Sequence, residues 1–253
     1  MNETSNNFNN FNEMRIQKYL SECGVMSRRN AEDAVIRGRV EINGKKAVVG
    51  QKVVPEIDEV MIDGIIISEN NNNKIYLMMY KPAGVVTTMS DDQGRICVAD
   101  ILKQELRGHI DERVYPVGRL DMYSEGLLIL TNDGEIANKL MHPKNNVSKI
   151  YHATIKGEVS RETIKKMSEP IEIDGRKTSP AQIDVIELKN RKTKLKITIS
   201  EGRNRQIRRM CENYNLIILK LKRVCIGKLN IGTLKPGEFK YLNHNEINYL
   251  KEL

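Results

Sequence analysis

Short strand-like stretches outnumber helical ones over most of this 253-residue sequence. In one of them Leu195, Ile197 and Ile199 alternate with polar residues, and this period of two is typical of a strand with one buried face. Helical patterns do not alternate regularly with the strands, which argues against a doubly wound parallel sheet. We therefore expect an α+β fold with a mainly antiparallel, partly mixed sheet and flanking helices. The predicted strands span residues 74–80, 84–88, 126–130, 149–156, 183–188, 194–199, 216–221 and 239–242, and the predicted helices span residues 96–105, 135–141, 161–167 and 205–214.

A smaller module is predicted ahead of this sheet, over residues 14–69. Apolar side chains at helical spacing from Ile16 to Cys23 predict one short helix, and Ser27 is a good N-cap for a second. Residues 40–42 and 46–49 predict a hairpin around the turn Asn43-Gly44, with a further short strand at 59–62. The asparagine-rich residues 1–13 predict a disordered tail. The asparagine run at 70–73 predicts a linker to a second domain over residues 74–253.

Positive charge is concentrated in two parts of the sequence. The net charge is +8, but residues 14–54 hold nine basic and four acidic residues, and residues 188–228 hold thirteen basic and two acidic ones. Such concentration favours a polyanionic partner, since each neutralised phosphate releases counterions; two solvated lysine-rich faces are the alternative. In the first part, four basic side chains around the second helix and the hairpin are expected to contact phosphates: Arg28, Arg29, Arg37 and Lys45.

The composition argues against a membrane or secreted protein. No run approaches the ~18 apolar residues of a membrane-spanning helix, and the first residues lack the basic and apolar regions of an export signal. None of the four cysteines forms a C-x-x-C pair. Reduced thiols in a cytoplasmic protein are therefore expected, rather than a disulfide scaffold or a zinc site.

One candidate acid follows a predicted strand end. Residues 115–134 read YPVGRLDMYSEGLLILTNDG, which sets Asp121 between two strands, where a carboxylate can face a cleft. An aspartate in such a place is more often a turn or cap residue, so both interpretations stay open at this point. Position 123 is Tyr rather than a second carboxylate, which argues against an aspartate-based phosphatase.

An arginine cluster follows the alternating strand. Residues 201–210 read EGRNRQIRRM, and this much positive charge at a strand–helix junction is unfavourable unless phosphates or a carboxylate neutralise it. An arginine paired with Asp121 would hold that carboxylate ionised and oriented. An ordinary basic surface at the start of a helix is the other interpretation.

Two stretches of the N-terminal module resemble the RNA-binding domain named after ribosomal protein S-four. They read RIQKYLSECGVMSRRNAE and GRVEINGK, at residues 15–32 and 38–45. The resemblance implies a module that grips RNA and does not itself form an active site. A generic small helical domain with surface arginines is the alternative.

Four motifs of the second domain are similar to those of the RsuA/RluB/RluF branch of pseudouridine synthases. They are GRLD with SEGLLILTNDG at 118–134, KIY at 149–151, GRNRQIRRM at 202–210, and LKRVCIGKL with LKPGEFKYL at 221–242. With the N-terminal module, the resemblance covers residues 14 to about 250. It implies that a uridine in ribosomal RNA is isomerised to pseudouridine, without a cofactor or a metal, by a protein that is a monomer.

The resemblance also implies roles for single residues. Asp121 corresponds to the catalytic aspartate, which acts either as a nucleophile or on the C2′ proton, Arg208 to the arginine that pairs with it, and Tyr151 to the tyrosine that stacks on the uracil. A uridine in folded RNA must leave the base stack to react, so we expect base flipping. The expected apolar walls of the uracil pocket are Leu120, Ile207 and Leu221. The expected phosphate contacts beside the flipped nucleotide are Arg119, Arg203 and Arg205.

A non-catalytic RNA-binding factor in ribosome assembly that keeps this fold is the alternative function. The combination of Asp121, Tyr151 and Arg208 argues against it, because a protein that only binds RNA has no need of these three together. The stretch QIRRMCE at residues 206–212 is closer to large-subunit enzymes. We therefore expect 23S rather than 16S rRNA as the substrate.

Overall fold

The fold is that of a computed structural model, which describes residues 12–68, 73–105 and 112–253. Within these ranges the chain divides into two compact units after Lys74. Most of the tail predicted at 1–13 and of the linker predicted at 70–73 lies outside the described residues. No helix of the described ranges is long and apolar enough to cross a membrane.

The first unit packs two helices beside short antiparallel strands. Ser27 caps the second helix, as its residue type predicts, because its hydroxyl oxygen accepts a hydrogen bond from the Asn30 amide at 3.1 Å. The hairpin strand predicted at 46–49 is shorter than expected, because the Val48 amide donates to the Gln51 side chain and leaves the ladder. The elements are β1 (Met14–Arg15), α1 (Ile16–Glu22), α2 (Arg28–Ile36), β2 (Val40–Ile42), β3 (Lys45–Lys46), β4 (Lys52–Val53), β5 (Val60–Ile62) and β6 (Ile65–Ile67).

The second unit is built on one large sheet with helices on both faces. In chain order its elements are β7 (Tyr76–Lys81), α3 (Val98–Glu105), β8 (Tyr115–Val117), β9 (Glu125–Thr131), α4 (Gly134–Met141), a 3-10 helix (Pro143–Asn145), β10 (Lys149–Lys156), α5 (Arg161–Met167), β11 (Glu172–Ile173), β12 (Arg176–Lys177), β13 (Gln182–Lys189), β14 (Lys192–Ile199), α6 (Gln206–Glu212), β15 (Ile218–Ile226), β16 (Leu229–Asn230), β17 (Phe239–Tyr241) and α7 (His244–Glu252).

The sheet of the second unit follows the order β13-β14-β10-β15-β9-β7-β17, with β16 paired to β15 and β8 to β9. Each of these pairs is antiparallel except β15 with β9. The predicted α+β class with a mainly antiparallel mixed sheet is therefore confirmed. The parallel pair joins the two halves of the sheet, at the register Arg223 opposite Gly126.

The two halves of this sheet are buried differently. Strands β7 and β9 are buried along their whole length, and one apolar cluster covers each of their faces. This matches their nearly continuous apolar sequences, which suit strands covered on both sides. The half formed by β13, β14, β10 and β15 has one apolar face, on which Met167 of α5 and Ile207 of α6 pack.

The prediction of a strand at residues 84–88 is wrong. This segment is a loop with one isolated β-bridge, at Val86. Gly84 has a φ of +85°, which interrupts an extended chain. The Val86 backbone bonds that of Ile96 and Val98, and two other hydrogen bonds of this loop go to the turn after β8. The Gly84 amide donates to the Met122 carbonyl at 2.7 Å, and the Thr87 hydroxyl donates to the Leu120 carbonyl at 2.8 Å.

Several other elements begin or end one or two residues from their predicted limits, and the two clearest cases are β15 and α6. The strand predicted at 216–221 starts later and continues to Ile226, and the helix predicted at 205–214 begins only at Gln206, because Arg205 is left-handed with a φ of +50°. Helix α7 was not predicted. All four cysteines are free thiols, as expected, and three of them are buried.

Candidate active site

Asp121 lies in the turn that joins β8 to β9. Its carbonyl accepts a hydrogen bond from the Ser124 amide at 3.0 Å, which closes a tight turn. Its neighbours Leu120 and Ser124 are buried, whereas the Asp121 side chain is 34% exposed. The carboxylate therefore reaches the surface from a fixed backbone position.

Arg208, in the first turn of α6, places its guanidinium beside this carboxylate. Its Nε lies 3.5 Å from Asp121 Oδ2, an ion-pair distance. Its Nη2 donates to the Tyr123 carbonyl at 3.0 Å and to Ser124 Oγ at 3.1 Å. Among the described residues the buried Nε has no hydrogen-bond partner, so its N–H remains available to the carboxylate. A guanidinium held this way restricts the orientation of the Asp121 carboxylate.

Lys81, at the end of β7, holds the same turn through hydrogen bonds from its side chain. It is fully buried, and its Nζ donates to the carbonyls of Pro82, Met122 and Ser124 at 2.8, 3.3 and 2.8 Å. Burial lowers the pKa of Lys81 to about 8, although the charge of Asp121 acts in the opposite direction. The lysine joins three carbonyls around the turn through one buried ammonium group, and so it stabilises the turn that carries the acid.

Tyr151 and the three residues predicted for the uracil pocket belong to one buried cluster. Tyr151 comes from β10 and is 9% exposed. Leu120 precedes Asp121, and Ile207 precedes Arg208, so the chain neighbours of both charged residues are in this cluster. Leu221 of β15 faces the same side of the sheet. The structure therefore brings the predicted apolar residues together next to the acid and its arginine.

Arg223 lies behind Tyr151, in β15. Its Nε donates to the Leu127 carbonyl at 2.8 Å, and its Nη1 lies 3.5 Å from the Tyr151 hydroxyl. The side chain is only 5% exposed, and its Nη2 is buried without a hydrogen-bond partner in the described part of the chain. Arg223 can thus restrain the orientation of the Tyr151 ring through its contact with the tyrosine hydroxyl.

Lys81 and Arg223 were absent from the predicted site. Each is a cation within a strand that is otherwise apolar or alternates with apolar residues. A charged side chain in such a place is rarely buried unless it has a partner. That is the one signal in the sequence that could have drawn attention to them. Most of their carbonyl partners, those of Met122, Ser124 and Leu127, come in contrast from distant parts of the chain.

The remaining predicted phosphate contacts fall into two groups. Arg119 is exposed next to the Asp121 turn, and Arg205 is 46% exposed with one ion pair, to Glu212 at 3.3 Å. Arg203 is engaged differently: its Nε donates to Glu201 at 3.0 Å, and its Nη atoms donate to carbonyls of the β11–β12 hairpin. The hydrogen-bond donors of Arg203 are therefore used within the fold rather than left for a phosphate.

The basic side chains predicted to contact phosphates in the first unit are at its surface. Arg28 and Arg29 begin α2, Arg37 follows it, and Lys45 lies in β3; all four are exposed. Arg39, close by, is instead paired with Asp63 through hydrogen bonds from its guanidinium. That pair holds the pKa of the exposed Asp63 carboxyl below its usual value.

Comparison with known proteins identifies the class of enzyme. Residues 75–213 match the family described as RNA pseudouridylate synthase, and the chain belongs to this family. It is 40% identical to ribosomal large subunit pseudouridine synthase B of Bacillus subtilis (strain 168), over 94% of this chain and 96% of that one. It is 34% identical to the dual-specificity RNA pseudouridine synthase RluF of Escherichia coli (strain K12), over 92% of this chain and 77% of that one.

A solved structure gives the same result for the fold. The crystal structure of a pseudouridylate synthase aligns with 94% of this chain and 99% of its own, with a TM-score of 0.66 and 26% sequence identity. Together with the relatives above, it places the chain in the RsuA/RluB/RluF branch of pseudouridine synthases. The protein is therefore an isomerase.

Proposed function

We propose that this pseudouridine synthase modifies a uridine of ribosomal RNA, in 23S rather than 16S rRNA, and that Asp121 is its catalytic carboxylate. The observation that carries the proposal is the ion pair of Asp121 with Arg208 at 3.5 Å, next to the buried cluster that contains Leu120 and Tyr151. The name of the B. subtilis relative, a large-subunit enzyme, supports the choice of 23S rRNA.

The proposed reaction depends on one carboxylate, that of Asp121. The N1–C1′ bond of the uridine breaks and N1 keeps the electron pair, the uracil turns over, and C5 bonds to C1′. The C5 proton leaves to solvent and N1 takes up a proton from solvent, so the product is an isomer of the substrate. An ionised aspartate can form a covalent bond to the sugar or the base, or it can remove the C2′ proton. In either case Arg208 contributes by fixing the carboxylate before the substrate arrives, which avoids reorganisation during the reaction.

The target base reaches this carboxylate by flipping out of the RNA. Unstacking costs a few kcal/mol, and stacking on an aromatic ring returns about 1–3 kcal/mol per base. Tyr151 is the proposed stacking partner, and Arg223 restrains its hydroxyl. Ile207 and Leu221 are the proposed apolar walls. Arg119 and Arg205, both exposed, are the proposed contacts to the phosphates next to the flipped nucleotide.

We expect the first unit to act as an RNA-binding domain of the S-four type that contacts phosphates. Replacing Arg28 and Arg29 by Ala should lower the slope of log K against log salt for rRNA binding by about 2, since each phosphate contact contributes about 0.9. The measurement is fluorescence anisotropy over a salt series. The matched control is Arg15→Ala with Lys52→Ala, which removes two charges from β1 and β4 of the same unit. An unchanged slope for the Arg28 and Arg29 variant would show that this helix start does not contact phosphates.

The rRNA substrate is tested by mapping pseudouridines in rRNA from cells with and without the gene. We expect one or a few positions in 23S rRNA to lose pseudouridine, and to regain it when the purified protein is added to that rRNA. The map of 16S rRNA should not change. Loss confined to 16S rRNA would overturn the large-subunit assignment, and unchanged maps of both rRNAs would overturn the choice of ribosomal RNA.

A further inference from the structure

The outer face of the β13-β14-β10-β15 half of the sheet is lined with lysines. Strand alternation places Tyr151, Ala153 and Ile155 of β10 in the buried cluster, so His152 and Thr154 point to the opposite face. His152 is in register with Lys196 on one side and Lys222 on the other. Thr154 is likewise flanked by lysines, from β14 and β15. Two rows of basic side chains therefore cross three strands, on the face of the sheet away from Leu120 and Ile207.

This face forms an open depression of about 450 Å³. A single carboxylate, that of Glu187, is among the described residues that line it. Of its five lysines, Lys220 is paired with Glu125 at 2.8 Å, and Lys222 lies 4.4 Å from the centre of the Tyr80 ring. The other three have no ion pair in the described ranges of the chain. The full lining is His152, Thr154, Glu187, Lys189, Asn190, Lys192, Lys194, Lys220 and Lys222.

The cations of this face are crowded. The pKa of Lys222 is lowered by burial, and the charges of Lys220 and Lys194 lower it further, against the effect of Glu125. The pKa of His152 is lowered by burial and by three lysines around it. Such mutual repulsion is unfavourable until an anion lies among the cations, since opposite charge favours their protonated forms.

We infer that this lysine face binds the sugar-phosphate backbone of a second segment of the RNA substrate, apart from the segment that enters the active site. Lysine is a flexible point charge that suits phosphates without reading sequence. The described lining contains no Phe, Tyr or Trp, and its one aromatic ring, that of His152, lies among Lys194, Lys196 and Lys222, so backbone contact fits better than base recognition. The lysine face is on the other side of the sheet from the cluster next to Asp121. A short stem–loop bound next to Asp121 would therefore not reach the lysine face.

The inference rests on RNA being the substrate, but not on the identity of the catalytic residue. Its test uses the full-length protein with Lys189, Lys192 and Lys194 all replaced by Gln, since these three side chains hold no ion pair with any described residue. The control variant replaces Lys103, Lys144 and Lys235 by Gln, three lysines of the same unit that are not part of this face. Two RNAs are compared: a short stem–loop with the target uridine, and a long rRNA fragment around the same site.

For the long fragment we expect the variant of the lysine face to bind at least about tenfold more weakly than the control variant, with a log–log salt slope lower by about 2–3. Affinity for the stem–loop, and pseudouridine formation in it, should stay within about twofold of the wild type. Equal affinity of the two variants for the long fragment would overturn the inference. The lysine face would then bind a partner other than this RNA. An equal loss for both RNAs would also overturn it, because the lysines would then act on the active-site segment. The binding measurement does not depend on catalysis, so it stands even if the assignment of Asp121 fails.

Discussion

Replacement of Gly126 by Ala is expected to destabilise the second unit by about 3 kcal/mol or more. Gly126 lies in β9 where it meets β15, and a Cβ at this position would be 2.2 Å from the Arg223 carbonyl oxygen and 2.9 Å from its nitrogen. Both atoms belong to the backbone, so the strands must separate. The residue also has a φ of +106°, a region that costs a non-glycine residue about 1–2 kcal/mol, and forced overpacking adds about 1–3 kcal/mol.

The measurement is the melting temperature of the full chain by calorimetry. A loss of about 3 kcal/mol should lower it by roughly 6–12 °C in a unit of this size. The control is Gly237→Ala, where φ is +93° but no described atom lies within 4 Å of the added carbon, so only the backbone strain is introduced. We expect that variant to melt about 2–8 °C below the wild type, and above the Gly126→Ala variant. Equal melting temperatures for the two variants would mean that the close approach of β9 and β15 does not require glycine.

The strands with regular patterns could be predicted from sequence because their pattern reflects a single environment. Strand β14 alternates between an apolar and a charged face, and its predicted and observed limits differ by two residues at the start. Strand β9, nearly all apolar, is buried on both sides. In each case the period of the apolar residues is enough to predict the strand. Burial of one or both faces depends little on which strands are the neighbours.

The loop at residues 84–88 could not be predicted because the hydrogen bonds of Gly84 and Thr87 go to distant residues. Val85, Val86 and two threonines have strand-forming side chains, which explains the expectation of a strand. Thr87 instead bonds the backbone of Leu120, 33 residues further along the chain. Propensity describes a residue on a sheet surface and contains no information about such a partner.

The arginine cluster shows the same limit at the site itself. Four arginines within seven residues indicate that anions are near, but not which arginine faces which group. In the structure Arg208 faces Asp121, Arg209 pairs with Asp174 at 2.9 Å, and Arg203 bonds the β11–β12 hairpin. Arg205 adopts a left-handed backbone conformation just before α6, and this start of the helix could not be inferred from an arginine in the sequence.

Replacement of Asp121 by Asn is expected to reduce pseudouridine formation by at least about 10³-fold, because an amide of the same size can neither add to the ribose nor take a proton. The fold should be retained, since Arg208 keeps its bonds to the Tyr123 carbonyl and Ser124 Oγ. RNA affinity should stay within about threefold of the wild type, because the substitution removes only one partly exposed ion pair, and such pairs contribute little free energy.

The matched control for this variant is Asp174→Asn. Asp174 also pairs with an arginine of α6, Arg209, and its side chain is 68% exposed. Its φ of +52° is one that Asn accepts readily. The substitution therefore removes a carboxylate that pairs with the same helix, without touching Asp121. We expect its activity to stay within about twofold of the wild type.

The most direct test is a single-turnover assay on rRNA labelled with tritium at C5 of uridine, since every isomerisation releases the C5 hydrogen to water. With enzyme in excess, the wild type and Asp174→Asn should release tritium at equal rates, and Asp121→Asn should release none above background while it binds the same RNA. Release by Asp121→Asn at a rate within about tenfold of the wild type would contradict the assignment of Asp121 as the catalytic carboxylate.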